Sequence, residues 1–152
     1  MPTVAPLGEI RAELFGSVFF LAQHLARRTD AALRPLGLTT KQWLLLIVLV
    51  KRFPGHAPTL SEAAVVYGTS RQNVKQIALQ LHKLGFLRLE PDPVDRRAQR
   101  LVLTERMAVF QEVREVRREN LYMAELFAGF APREVQTLAT LVRRWLRDLI
   151  PS

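Results

Sequence analysis

Ser70-Arg71-Gln72-Asn73-Val74-Lys75-Gln76-Ile77-Ala78-Leu79-Gln80-Leu81-His82-Lys83-Leu84-Gly85 is the stretch that decides the fold, together with two short runs after it, Phe86–Glu90 and Gln99–Leu103. Ser70 suits an N-cap and Gly85 a stop, so the spacing predicts a helix over 70–84. Stepping about 100° per residue puts Val74, Ile77, Ala78, Leu81 and Leu84 on one face, which must pack inward. Gln72, Lys75, Gln76, Gln80 and Lys83 fall on or near the opposite face, with Arg71 and Asn73 flanking at the N-terminal end. The runs after Gly85 are rich in branched residues and β-compatible. Between them, Pro91-Asp92-Pro93-Val94-Asp95-Arg96-Arg97 reads as the charged tip of a hairpin.

Upstream, Thr59 with Glu62 forms a capping box that opens a short helix to about Tyr67, and Gly68 gives a turn. Phe53–Pro58 is a loop by its proline and glycine content. Thr39 with Gln42 makes a similar box before an apolar run through Val50. Before that, Leu7, Ile10, Leu14, Val18, Leu21 and Leu25 recur at helical spacing to about Leu33, where Pro35 and Gly37 end the pattern. Downstream, Thr104 caps a long helix expected to reach about Phe127, and Gly129 breaks it. Pro132 opens the last helix, whose stripe is Val135, Leu138, Val142, Trp145 and Leu149. Three short helices and then a two-stranded hairpin is the order of a winged helix-turn-helix, the third being the recognition helix. The organisation this predicts is an N-terminal helix over 1–34, a winged core over 35–104 and C-terminal helices over 105–152.

The chain has 152 residues, 22 Lys+Arg against 14 Asp+Glu, and a net charge of +8. With a pI near 11.0, that balance points to a polyanionic partner. The charge is densest in the middle. Residues 70–104 hold Arg71, Lys75, Lys83, Arg88, Arg96, Arg97 and Arg100 against Glu90, Asp92 and Asp95. An exposed face of amides and cations suits a major groove, where Arg and Lys pair with guanine edges and Gln and Asn with adenine. Ser70 and the open N–H groups of the first turn suit a phosphate. Arg96 and Arg97 at the hairpin tip, with Arg100 just behind, suit a minor groove whose walls focus negative potential. Asp95, two residues before Arg97, is placed to hold its guanidinium.

Leu60-Ser61-Glu62-Ala63-Ala64, Gly68-Thr69-Ser70-Arg71-Gln72-Asn73-Val74, Leu81-His82-Lys83-Leu84-Gly85-Phe86-Leu87, Asp92-Pro93-Val94-Asp95-Arg96-Arg97-Ala98 and Leu101-Val102-Leu103-Thr104 together resemble the MarR (multiple antibiotic resistance regulator) family. The Asp-x-Arg element of the wing, Asp95 and Arg97, is the most specific part. The resemblance implies a homodimeric transcription regulator, usually a repressor, that binds pseudo-palindromic double-stranded DNA and is often released by a small aromatic or lipophilic molecule. It assigns DNA contact to Thr69, Ser70, Arg71, Gln72, Asn73, Lys75 and Gln76 of the recognition helix and to Asp95, Arg96, Arg97 and Arg100 of the wing. Many members carry an Asp-Arg pair where this chain has Leu79 and Gln80. Leu79 projects toward the DNA side, within reach of either a thymine methyl or the wing.

The fold class that follows is mainly α, a winged helix-turn-helix whose N- and C-terminal helices form a dimerisation bundle. Leu7, Ile10, Leu14, Leu138, Val142, Trp145 and Leu149 are the candidates for the dimer interface, although an intramolecular bundle would use the same residues. Two recognition helices about one DNA turn apart, roughly 34 Å, would read inverted half-sites. The effector pocket that the resemblance implies falls on Phe19, Phe20, His24, Trp43 and Ile47, all of which also suit an ordinary core.

Other function classes fit poorly. The absence of cysteine removes disulfides, cysteine-ligated metals and thiol chemistry. His24, His56 and His82 fall on three different elements without metal-ligand spacing, and no phosphate loop, Gly-x-Ser-x-Gly elbow or paired-carboxylate pattern occurs, so neither enzyme activity nor a cofactor is expected. The competing reading keeps the winged helix as a protein-interaction module without sequence-specific DNA binding. Met1–Gly8 has no export signature, and the most apolar stretch, Trp43–Val50, is far below membrane-spanning length, so a cytoplasmic location is expected.

Overall fold

Caps and breakers punctuate the described residues, 4–152 of a computed structural model, into six α-helices, two strands and two 3-10 segments. Met1, Pro2 and Thr3, the start of the stretch read for an export signal, lie outside the described residues. The chain divides into two compact units, Met1–Thr40 and Lys41–Ser152.

The first unit is one long helix, α1 (Leu7–Leu33), and the turn that ends it. Pro35 lies in a 3-10 turn, Arg34–Leu36, and Gly37 takes a left-handed φ of 72° that an L side chain resists. The Asp30 carboxylate accepts the backbone N–H of Thr40 at 2.6 Å, and the Thr40 hydroxyl lies 2.9 Å from the carbonyl of Ala26. No residue of α1 is buried.

The second unit contains α2 (Thr40–Arg52, from Lys41 on), α3 (Leu60–Tyr67), α4 (Arg71–Lys83), the strands β1 (Leu87–Pro91) and β2 (Gln99–Leu103), α5 (Val113–Leu126) and α6 (Pro132–Leu149). Its core takes in Val74, Ile77, Ala78 and Leu81 of the inward face read for α4, while Leu84 is only half-buried. Leu45, Leu46, Leu60, Leu81, Phe86 and Leu87 are each at most 1% exposed, and burying a side chain of this size contributes about 1.5–3 kcal/mol. Thr59 closes its capping box with Glu62 as expected. The Gln42 side-chain amide donates across to Gln80 Oε1 on α4, at 3.0 Å. The Tyr67 hydroxyl donates to the Lys41 carbonyl, tying the end of α3 to the start of α2, and partial burial raises its pKa.

A Schellman closure ends α4: Phe86 N–H reaches the Leu81 carbonyl and Gly85 N–H the His82 carbonyl, both at 3.0 Å. Gly85 makes this possible with a φ of 83°. The hairpin pairs Leu87 with Leu103, Leu89 with Leu101 and Pro91 with Gln99, antiparallel. β1 begins one residue later than the apolar run suggests, because Phe86 is taken up by the helix closure.

The helix expected from Thr104 to Phe127 is not continuous. Glu105–Gln111 is 3-10, Glu112 is extended, and α5 starts only at Val113. The cause lies in the core. Phe110 packs on Phe86 with ring centroids 6.0 Å apart, and the Arg106 guanidinium sits 4.9 Å over the same ring. Both contacts hold the segment against the winged core. Thr104 does cap this segment, accepting the Arg106 N–H. Neither α5 nor α6 has a buried residue, and the α6 stripe lies open at Leu138, Val142, Trp145 and Leu149.

Candidate nucleic-acid interface

A helix that buries one face fixes the direction of the other. Val74, Ala78 and Leu81 are fully buried, so Arg71, Gln72, Asn73, Lys75 and Gln76 all stand exposed on α4. Ser70 Oγ accepts the Asn73 N–H at 3.1 Å, so it serves as the N-cap. The Asn73 side-chain amide donates back to Thr69 Oγ1 at 3.0 Å, fixing the half-buried Thr69 beside the helix start. Gln80, placed by helical stepping on the polar face, is exposed but has its carbonyl engaged by Gln42.

The wing is organised by a residue that the sequence reading left aside. Asp92 is buried, and its Oδ1 accepts the N–H groups of Val94 at 2.8 Å and Asp95 at 3.0 Å. Its Oδ2 accepts Arg100 Nε at 2.5 Å. The Asp95 and Val94 N–H groups, and then the Arg100 guanidinium, hold the Asp92 carboxyl below its ordinary value against the opposing effect of burial. The signal for this was present: aspartate before proline in a turn-rich stretch favours a side chain that accepts N–H groups two and three residues on.

Two expectations for the wing change accordingly. Asp95 accepts the backbone N–H of Arg97, at 3.1 Å, and does not hold its guanidinium. Turn geometry sets this, because the backbone donor two residues on is nearer than the end of a long side chain. Arg100 does not sit free behind the tip. Besides Asp92, it donates through Nη1 to the Ala57 carbonyl at 2.6 Å, locking the wing root to the loop before α3. Backbone contacts run the same way, with Leu101 N–H on the Pro58 carbonyl and a bridge between Thr59 and Arg100. The exposed guanidinium groups of Arg96 and Arg97 have no ion-pair partner among the described residues.

The other predicted residues fall in both units. Leu7, Ile10 and Leu14 are exposed on α1, as are Phe19, Phe20 and His24. Phe19 meets Phe15 edge to face, with centroids 5.1 Å apart. Trp43 and Ile47 are half-buried on α2 in the second unit. Among the described residues no three His, Cys, Asp or Glu side chains group as metal ligands, and no single helix is long and apolar enough to cross a membrane.

Comparison with known proteins places this arrangement. The MarR family model matches residues 36–98, from the turn after α1 through the wing tip. Over that stretch the chain is similar to the MarR family. MosR, a transcriptional regulator of Mycobacterium tuberculosis solved in complex with DNA, is 28% identical with a TM-score of 0.63, over 84% of this chain and 92% of its own. Sco3205, a MarR-family regulator of Streptomyces coelicolor also solved in complex with DNA, has a TM-score of 0.73 over 100% of this chain and 95% of its own. At 20% identity that likeness is one of fold, and it takes in the flanking helices. The transcriptional activatory protein BadR of Rhodopseudomonas palustris is 25% identical over 127 residues, 84% of this chain and 73% of the relative. MosR, Sco3205 and BadR are all described as transcriptional regulators or activators.

Proposed function

We propose that this chain is a MarR-family transcriptional regulator that binds double-stranded DNA in a sequence-specific manner, as a homodimeric repressor released by a small molecule. The observation that carries the reading is the pair of unpaired arginines, Arg96 and Arg97, on a wing pinned by Asp92 and Arg100 beside the open polar face of α4. A desolvated cation would need a partner inside the protein; these two have phosphate or minor-groove chemistry available only outside it. Arg71, Gln72, Asn73, Lys75 and Gln76 then face base edges and Ser70 caps the helix. The N–H groups of Arg71 and Gln72 at the helix start suit a phosphate. Asp95 shapes the tip that presents Arg97, and Arg100 positions the wing.

Dimerisation follows from uncovered apolar surface. Leu7, Ile10 and Leu14 on α1, and Leu138, Val142, Trp145 and Leu149 on α6, are each at least 40% exposed in the single chain. Closing such stripes against a second copy is favoured by about 25 cal/mol per Å² of apolar surface. The effector proposed is an aromatic or lipophilic molecule: Phe19, Phe20 and His24, exposed on α1, offer it two rings and an imidazole, and Trp43 and Ile47, half-buried on α2, offer apolar surface of their own.

Arg97→Ala tests the reading. Gel-shift titration is expected to show at least tenfold weaker binding to DNA recovered from a random pool, with an unchanged thermal melt. Equal affinity would overturn the wing assignment. A second direction of control has one support, since BadR is named an activatory protein; a reporter placed behind the recovered DNA rises on deletion of a repressor and falls on deletion of an activator.

A further inference from the structure

Along α4 every apolar residue but one is at most 5% exposed; the exception, Leu79, is 42% exposed. Taking about 100° per residue, Gln72, Gln76, Leu79 and Lys83 fall within about 60° of one another. Leu79 therefore lies at the centre of the outward face, and its helical neighbours Lys75, Gln76, His82 and Lys83 are all exposed. A single exposed leucine is ordinary on a protein surface. This one is the sole apolar side chain on a face otherwise made of amides and cations, with a buried face directly behind it that leaves the helix no freedom to turn it inward. The Gln42–Gln80 hydrogen bond fixes the helix rotation at the adjoining residue.

We propose that Leu79 is a specificity-determining residue that reads the C5-methyl of a thymine in the major groove. The inference rests on the DNA-binding reading above and extends it to one base. The major-groove edge offers a single apolar group, the thymine methyl; every other feature there is a hydrogen-bond donor or acceptor. Leucine can satisfy none of those. Set against a cytosine amino group or a guanine carbonyl, it would strip water from a polar atom and return no hydrogen bond. Against a methyl, both partners lose apolar surface to water. The flanking Lys75, Gln76 and Lys83 supply polar contacts around it, so the leucine discriminates while its neighbours bind.

The test is a selection from two random double-stranded pools, one made with thymidine and one with deoxyuridine in its place, for the wild type and for Leu79→Ala. Leu79 is solvent-exposed, and a matched melt confirms that the variant folds. The wild type is expected to recover a thymine at one fixed position of its site from the thymidine pool, with no preference there from the uridine pool or with Leu79→Ala. On the recovered duplex, replacing that thymine by uracil should weaken wild-type binding about fourfold per copy of the position, the effect of burying one methyl group. Leu79→Ala should bind both duplexes alike. A thymine preference that survives in the uridine pool, or in Leu79→Ala, overturns the proposal, as does a recovered site with no such position. Failure of both pools to yield any bound DNA would instead overturn the DNA-binding reading on which it rests.

Discussion

Asp92 takes two backbone N–H groups on one carboxylate oxygen and the Arg100 guanidinium on the other, so an amide at this position would keep the shape and lose the charge. Asp92→Asn is expected to lower the melting temperature at neutral pH and to weaken DNA binding several-fold while the helices remain. The pH dependence has a defined sign. The folded-state pKa of Asp92 is depressed, so its stabilisation is complete above the unfolded carboxylate value of about 3.9 and is lost as pH falls through the folded value. Melts of wild type and Asp92→Asn should therefore differ by a constant amount from neutral pH down to about 5 and converge at lower pH. A difference that instead changed between pH 6 and 8 would point to another group. At this scale the sequence was only partly legible. The open cations Arg96 and Arg97 could be read from local pattern. Arg100 could not, because its partner at Ala57 is a backbone carbonyl far away in the chain.

Elements were easier to read than single contacts, for a physical reason. Ser70 and Gly85 bound α4 through local geometry, and the helix runs Arg71–Lys83 as the caps imply. The short β-compatible run rich in branched residues likewise placed β2 at Gln99–Leu103. The interruption between Thr104 and Val113 was not legible, since its cause is the stacking of Phe110 and Arg106 on Phe86, a contact that no local pattern encodes. The junction of α4 and β1 supplies a direct test. Gly85 has a φ of 83°, and a Cβ there would meet the Arg106 side chain at 3.5 Å. Gly85→Ala should destabilise the chain by about 1 kcal/mol or somewhat more, measured as a lower urea midpoint at unchanged slope. No loss of stability would mean that the helix closure has an alternative backbone path.

For the whole molecule, α6 presents its apolar stripe with none of its residues buried. A helix of this kind gains little from staying bare in water. Trp145→Glu puts a charge at the middle of that stripe, and burying it in an interface would carry a desolvation penalty. Sedimentation velocity is expected to show the wild type as a dimer and Trp145→Glu as a folded monomer. Two dimeric species would move the interface elsewhere.

Arg100 and Leu101 hold the root of the hairpin to Ala57 and Pro58, a separation of 43 residues between Arg100 and Ala57. The arm thus becomes rigid only once that intervening loop has closed, so its ordering is completed as the protein folds. Little disorder remains to be quenched when it meets a ligand, and the free energy of docking is correspondingly undiminished by entropy.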